Sequence, residues 1–376
     1  MDELLRSRYS KSTRVIKATF PRANDDSTLV PHKDTLNLVY DLYTPTAKSQ
    51  DHCRSHVNLL FLHGSGMSRC VWEYHVAHLQ DYELNWNIHK IVLVDQATHG
   101  DSAMLNQDKL GVNFDWSDGA RDACKIAEVE FSDGVAAHNV VIGHSMGGFQ
   151  ALCCGVLMPN LFQLLITIEP VVLMHNMINV HDRTVLPTKL YQGLNSKIRD
   201  SFKDGKEYED FMRNGSFFKA VHPEILQRMI DFERVSMCDG TIRTKINREQ
   251  NIMCYLTLFP TSYWLLDSLK YIKAPVVSIV AELARWSPKE NQETLKRQIP
   301  NFTQDVVPGA DHLVNIEKPL ETLRRIICHI SRYVASKKVP SNSDLSNDER
   351  REKFNIQFYK FRAARVEDGP MALAKF

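Results

Sequence analysis

Short apolar runs alternate with stretches of helical spacing along most of the chain. Val15 to Phe20 and Leu36 to Tyr43 read as two extended segments, the second ending in Thr44-Pro45, and they suit an antiparallel start to a sheet. The rhythm then changes to the near-continuous runs Val57–Leu62, Ile91–Val94, Val140–Ile142 and Leu164–Ile168. Helix-like stretches near Val71–Gln80, Gly119–Glu130 and Met146–Leu157 fill the intervals. Strands without polar alternation, separated by helices, imply a parallel sheet covered on both faces, an α/β architecture. The pattern resumes with Val276–Val280, Asp305–Val307 and a helix from about Glu317 to Val334.

Between the two blocks, from Val171 to Lys273, the strand rhythm is lost and the sequence reads as helical and irregular. This organisation divides the chain into a core of residues 12–170 and 274–335, an inserted cap or lid of residues 171–273, and a terminal segment of residues 336–376. The cap carries Met174, Met177, Phe211, Met212, Phe217, Phe218, Phe259, Tyr263 and Trp264. These supply enough apolar surface to line an apolar pocket, although most such residues are expected to form the cap's own core. The terminal segment reads as a polar linker, Pro340-Ser-Asn-Ser-Asp344, followed by a charged helix from Asn347 to Arg365 and a tail. Phe354, Phe358 and Phe361 share one stripe of that helix, with docking on the protein's own body as its expected use and a partner surface as the alternative.

Composition narrows the class. The chain of 376 residues, 43% hydrophobic and 24% charged, has the make-up of a globular enzyme. Its 46 basic and 45 acidic residues leave a net charge of +1, which offers no field for a nucleic-acid backbone. The eight cysteines are scattered with no C-x-x-C pair, and no H-E-x-x-H occurs, so no metal site is expected and the thiols are read as reduced and mostly buried. Charged residues from Asp2 to Arg14 exclude an apolar signal core. The longest apolar stretch, Leu164 to Met174, carries Glu169 and Pro170 and falls short of the roughly 20 residues that cross a bilayer, so no transmembrane segment is expected.

Candidate chemistry centres on Gly143-His144-Ser145-Met146-Gly147, which lies between an apolar run and a helix-like stretch. This is the pattern of a nucleophile elbow: glycines two residues either side of Ser145 let strand and helix backbones approach while the hydroxyl is held exposed in a strained turn. A serine hydroxyl needs an adjacent base, itself oriented by a carboxylate. His312, in the glycine-containing loop after the last strand, is the expected base. Two carboxylates follow strands beyond the elbow. Glu169, set directly before Pro170, is preferred as the acid, with Glu282 as the alternative. Asp311 adjoins His312 in sequence and is not expected to face its ring. His63-Gly64-Ser65-Gly66 follows a strand in the position of an oxyanion loop, and the backbone N–H groups of Ser65 and Met146 are the expected donors. The same glycines do not make a dinucleotide loop, because the third glycine position is Arg69. His99, in Asp95-Gln-Ala-Thr-His99-Gly, is read as part of a turn that shapes the pocket edge.

With these residues the chain resembles the α/β-hydrolase superfamily, and within it is similar to the fungal peroxisomal lipase and related hydrolases of fungal toxin pathways. The resemblance runs from roughly Pro21 to Val334 and includes Phe61-Leu-His-Gly-Ser-Gly-Met67, Val141-Ile-Gly-His-Ser-Met-Gly-Gly148, Ile168-Glu-Pro170, Met212-Arg-Asn-Gly-Ser-Phe-Phe218 and His312-Leu-Val-Asn315. It implies the α/β-hydrolase fold, a lipid-like acyl ester as substrate, and the peroxisome as compartment. The C-terminal Ala374-Lys375-Phe376 matches the S-K-L type of import signal at two positions and departs from it at the last. An import receptor reading that tail is the one protein partner expected, with the cytoplasm as the alternative location.

The expected activity is lipase- or esterase-type hydrolysis of a carboxylic ester through an acyl-enzyme, with no metal or organic cofactor. An acyl-CoA thioesterase or acyltransferase working through the same serine is the alternative within enzymes. A catalytically silent binding protein is the alternative outside them. A serine at the elbow argues against epoxide hydrolase and dehalogenase chemistry, which uses an aspartate there.

Overall fold

In the computed structural model, which describes residues 1–47, 54–173, 188–258, 261–284, 286, 288–337 and 345–366, two compact units are formed, Met1–Val339 and Pro340–Phe376. The first is built on β1 (Tyr9–Lys17), β2 (Asn37–Pro45), β3 (His56–Leu62), β4 (Asn87–Val94), β5 (Ala137–His144) and β6 (Leu164–Ile168). After an insertion holding three short strands, β7 (Ser201–Phe202), β8 (Arg234–Ser236) and β9 (Ile242–Thr244), the sheet is completed by β10 (Val276–Ala281) and β11 (Phe302–Val307). The eight strands run in the order β1-β2-β4-β3-β5-β6-β10-β11. β1 and β2 pair antiparallel, β2 meets β4 antiparallel, and every pair from β4 to β11 is parallel.

Side chains alternate between sheet faces, so a fully apolar strand feeds two cores at once. Leu59, Phe61, Ile91, Leu93, Val140, Ile142, Ile166 and Ile168 join one core with Trp72 and Val76 and with Leu323, Ile326 and Ile330 of the helix Pro319–Ser336. Leu60, Leu62, Val92, Val94, Val141 and Leu165 join the other, with the helices Trp116–Glu130, Met146–Leu157 and Lys289–Gln298 packed over them. The helix expected near Val71–Gln80 is present as one continuous helical run, with the tighter turns Arg69–Trp72 and Leu79–Asp81 on either side of Glu73–His78.

The parallel strands end at one edge of the sheet, and the candidate chemistry follows directly from those ends. His63 to Met67 leave β3, Asp95 to Gly100 leave β4, Ser145 leaves β5, Glu169 leaves β6, Glu282 leaves β10, and the loop to His312 leaves β11. In an open parallel sheet this edge is where ligands bind.

The insertion between β6 and β10 differs from the helical reading in one respect. Besides helices such as Thr188–Lys197, Pro223–Glu233 and Arg248–Leu256, it forms a small antiparallel sheet in the order β7-β9-β8. Strands of two or three residues are too short to register as polar–apolar alternation. A π-helical turn, Phe211–Gly215, falls in the Met212–Phe218 segment. Met174, Met177 and Phe259, the linker Pro340–Asp344 and the tail Ala374–Phe376 lie outside the described residues.

The second unit is described over the helix Asn347–Ala363 and its flanks. Ser346 and Glu349 form a reciprocal capping box at its start, and Phe354 and Phe358 stack with ring centroids 5.9 Å apart. No residue of this helix is buried.

Candidate active site

Ser145 sits at the turn from β5 into the helix Met146–Leu157 with φ +54° and ψ −112°, a left-handed conformation that a serine adopts only under constraint. The flanking glycines are dictated by contact. A Cβ on Gly143 would lie 2.0 Å from the Gly147 carbonyl oxygen, and one on Gly147 would lie 2.4 Å from the Leu62 carbonyl oxygen. The Ser145 N–H donates to the Ile168 carbonyl at 2.9 Å, tying the elbow to the end of β6.

His312 Nε2 lies 3.0 Å from Ser145 Oγ, and its Nδ1 lies 3.4 Å from Glu169 Oε2. These contacts fit the tautomer protonated on Nδ1, which leaves Nε2 able to accept the serine proton. Glu169 is 1% exposed and held on both sides. Its N–H donates to the Ile279 carbonyl at 3.0 Å, and its Oε1 accepts from the Ala281 N–H at 2.7 Å. Glu282 is exposed, and its Oε2 accepts from the Gly309 N–H at 2.8 Å, bracing the loop that carries His312. Asp311 Oδ1 accepts from the His312 backbone N–H at 2.8 Å. The structure therefore brings Ser145, His312 and Glu169 together, with Glu282 turned to the neighbouring backbone.

His144 is a support that sequence reasoning passed over. Its Nε2–H donates to the His312 carbonyl at 2.9 Å, and the two rings lie 5.1 Å apart. Burial, then the neighbouring His312, pushes its pKa down to about 3, so it braces the His312 backbone as a neutral ring. Its position immediately before the serine, at the strand end, was the available signal.

The expected oxyanion donors lie on opposite sides of the serine in sequence. Met146 is the first residue of its helix, so its N–H has no intrahelical acceptor. Ser65 belongs to a loop clamped by two buried imidazoles. His63 Nδ1–H donates to the Gly64 carbonyl at 2.9 Å while its Nε2 accepts from the Gln96 N–H at 3.1 Å. His99 Nε2 accepts from the Gly66 N–H at 3.1 Å. Burial pushes the pKa of His63 down to about 4 and that of His99 well below the usual value, which keeps both rings uncharged. Behind them Arg69 is buried among carboxylates, its guanidinium paired with Asp41 at 2.8 Å, with Asp101 at 2.7 Å and with Asp95, whose Oδ1 also accepts the Arg69 N–H. The arginine that broke the dinucleotide pattern thus anchors the loop from below. His99 is more than a rim residue, because it holds the loop N–H next to Ser65.

These groups open into a cavity of about 370 Å³. Met67, Tyr208, Phe211, Met212, Phe218 and Met229 give it a largely apolar wall, and Trp286 lies over His312 with ring centroids 5.9 Å apart. Of the apolar residues singled out in the insertion, Phe211, Met212, Phe217 and Phe218 line the cavity, whereas Trp264 is exposed. Among the described residues no group of His, Cys, Asp and Glu is arranged to hold a metal ion, and no helix is long and apolar enough to cross a membrane.

Residues 59–325 match the Alpha/beta hydrolase family. The chain is 43% identical over 375 residues to the peroxisomal membrane protein LPX1 of Saccharomyces cerevisiae, covering 95% of this chain and 96% of that protein. The solved structure of a peroxisomal alpha-beta-hydrolase Lpx1 from the same organism superposes with a TM-score of 0.86 over 96% of this chain and 99% of that one, at 43% identity. A type I acyl-CoA thioesterase, mpaH', of Penicillium brevicompactum is 29% identical over 143 residues, covering 38% of this chain and 33% of that protein. The family match, whose span includes Ser145, Glu169 and His312, identifies the chain as a member of the alpha/beta hydrolase family.

Proposed function

We propose that the chain is a serine hydrolase that cleaves a carboxylic ester with a lipid-like acyl group. The observation that carries this reading is the 3.0 Å approach of His312 Nε2 to Ser145 Oγ, with Glu169 behind the ring. Ser145 Oγ attacks the acyl carbonyl as His312 takes its proton. The oxygen, now negative, is met by the N–H groups of Ser65 and Met146, which are fixed before the charge appears. Collapse of this intermediate expels the alkoxide, which receives the proton from His312, and leaves the acyl group on Ser145. Water, deprotonated by His312, repeats the sequence and releases the acid. Glu169 holds the ring in one tautomer and stabilises the imidazolium formed in each half-reaction. Residues 171–273 act as a cap that supplies the acyl wall.

An acyl-CoA thioesterase or acyltransferase reaction would use the same steps with a thiolate leaving group or an alcohol acceptor, and the partial likeness to the Penicillium thioesterase favours keeping it as the second reading. The peroxisome is the proposed location, supported by the 43% identity to a peroxisomal yeast protein, and the tail Ala374-Lys375-Phe376 is the proposed contact for an import receptor.

Labelling with a fluorophosphonate probe, followed by turnover of short- and long-chain acyl esters and thioesters, tests the chemistry. Wild type should label, and Ser145→Ala should not label and should lose about 10⁴- to 10⁶-fold in turnover while remaining folded. Undiminished turnover in the variant would eliminate the mechanism. A folded wild type that neither labels nor turns over any ester would favour a silent binding protein.

A further inference from the structure

Glu233 ends the helix Pro223–Glu233 and lines the same cavity as Ser145. It is 8% exposed, and its two carboxyl oxygens are buried without a hydrogen-bond partner. Lys245, the cation that acts on its carboxyl, is engaged elsewhere: it pairs with Asp101 at 2.6 Å and lies over the Phe232 ring. The Ser68 hydroxyl, which faces Glu233 and favours its anion, is shared with Cys70 Sγ at 3.3 Å. Burial, together with Asp95 and Asp101, outweighs Ser68 and Lys245 and pushes the Glu233 pKa up to about 7. Cys70 and Tyr208, which also face it, are kept neutral by their own burial. Below neutral pH Glu233 thus presents an O–H donor and a carbonyl acceptor to the cavity, with the shared Ser68 hydroxyl beside it. Asn251 Oδ1 is another buried, unpartnered acceptor on a residue that lines this cavity.

A buried polar group left in this state is destabilising, and an apolar residue would complete the wall without that cost. We propose that Glu233 forms a polar subsite within the acyl cavity that hydrogen-bonds a hydroxyl group carried on the acyl chain, and so selects hydroxylated acyl groups over plain alkyl ones. This inference rests on the acyl-ester reading of the site. A hydroxyl is donor and acceptor together, which matches the protonated carboxyl.

The test is kcat/KM for 4-nitrophenyl esters of straight-chain acids, plain and bearing one hydroxyl at successive positions, measured at pH 6. Wild type should prefer at least one hydroxylated position by about 5- to 20-fold, the scale of one buried hydrogen bond. Glu233→Gln, which keeps a donor and an acceptor, should retain most of that preference, and Glu233→Leu should bring the ratio close to one. Between pH 6 and pH 8 the ratio should rise in wild type, because the carboxylate that forms accepts the hydroxyl in a charge-assisted bond and is left unpaired by a plain chain, and it should stay level in Glu233→Gln. Equal ratios in wild type and Glu233→Leu would overturn the proposal. Hydrolysis of plain esters by wild type tests the acyl-ester reading separately, because it does not involve this subsite.

Thermal midpoints give an independent check. Between the usual carboxyl value of 4.5 and about 7 the folded chain retains a proton on Glu233 that the unfolded chain releases, so this group's contribution to stability falls as pH rises through that window. The midpoint of Glu233→Gln should therefore gain on wild type from pH 5 to pH 7 and hold the gain above. Asp95, raised to about 6, is present in both proteins and cancels in the comparison. Parallel curves would overturn the proposal.

Discussion

Glu169 holds its backbone at φ +47°, where a residue with a Cβ is strained by about 1–3 kcal/mol, and hydrogen bonds to Ile279 and Ala281 keep it there. That turn aims its free oxygen Oε2 at His312 while Oε1 is spent on the backbone. Glu282 follows β10 just as Glu169 follows β6, yet it is exposed and braces Gly309. Glu169→Gln should thus lower turnover by about 10³- to 10⁴-fold, the effect of removing the carboxylate that sets the tautomer, whereas Glu282→Gln should stay within a few-fold of wild type. Steady-state rates on one ester decide it, and the reverse order would assign the acid to Glu282. Nothing in the sequence separated the two beyond Pro170, because a positive φ at a non-glycine residue leaves no compositional mark. Ser145 and His312 were more legible, since glycine spacing and a loop after the last strand both leave such marks. Glu233 was illegible: at the end of an amphipathic helix a glutamate reads as a solvated cap, and its burial comes from residues distant in sequence.

The loop proposed to hold the oxyanion shows how an element gains rigidity from side chains of other loops. Ser65 follows β3, but the geometry of its neighbour depends on His99, which leaves β4 and accepts the Gly66 N–H. Because His99 is held neutral, it offers a lone pair where a protonated ring would offer a second donor. His99→Phe should leave the Gly66 N–H without its acceptor and let the loop drift. The expected result is a fall of about 10- to 100-fold in kcat with little change in KM, below the 10²- to 10³-fold typical of losing an oxyanion donor outright. A lower thermal midpoint with kcat unchanged would show His99 to be structural only. At this scale the sheet was readable because buried parallel strands are apolar on both faces. The three-stranded sheet of the insertion and the Arg69 carboxylate cluster were not, since both depend on pairings between segments that carry no periodicity of their own.

At the scale of the molecule, the candidate site and the proposed address fall in different compact units. Every residue of the candidate site lies in Met1–Val339, and the tail proposed to address the protein lies in Pro340–Phe376. The second unit's helix starts with its own capping box, a local device that sets a helix terminus without tertiary packing. A chain ending at Val339 should fold and hydrolyse the same esters at the same rate, because the whole candidate site lies within it. It should also lose punctate colocalisation with a peroxisomal marker when fused at its N-terminus to a fluorescent protein, while the segment 340–376 fused alone should confer it. A large drop in midpoint on truncation would mean instead that the Phe354, Phe358 and Phe361 stripe contributes to the stability of the first unit, as a docked helix would. Retained puncta with an unchanged midpoint would place the address in the hydrolase unit itself and free the aromatic stripe for a partner.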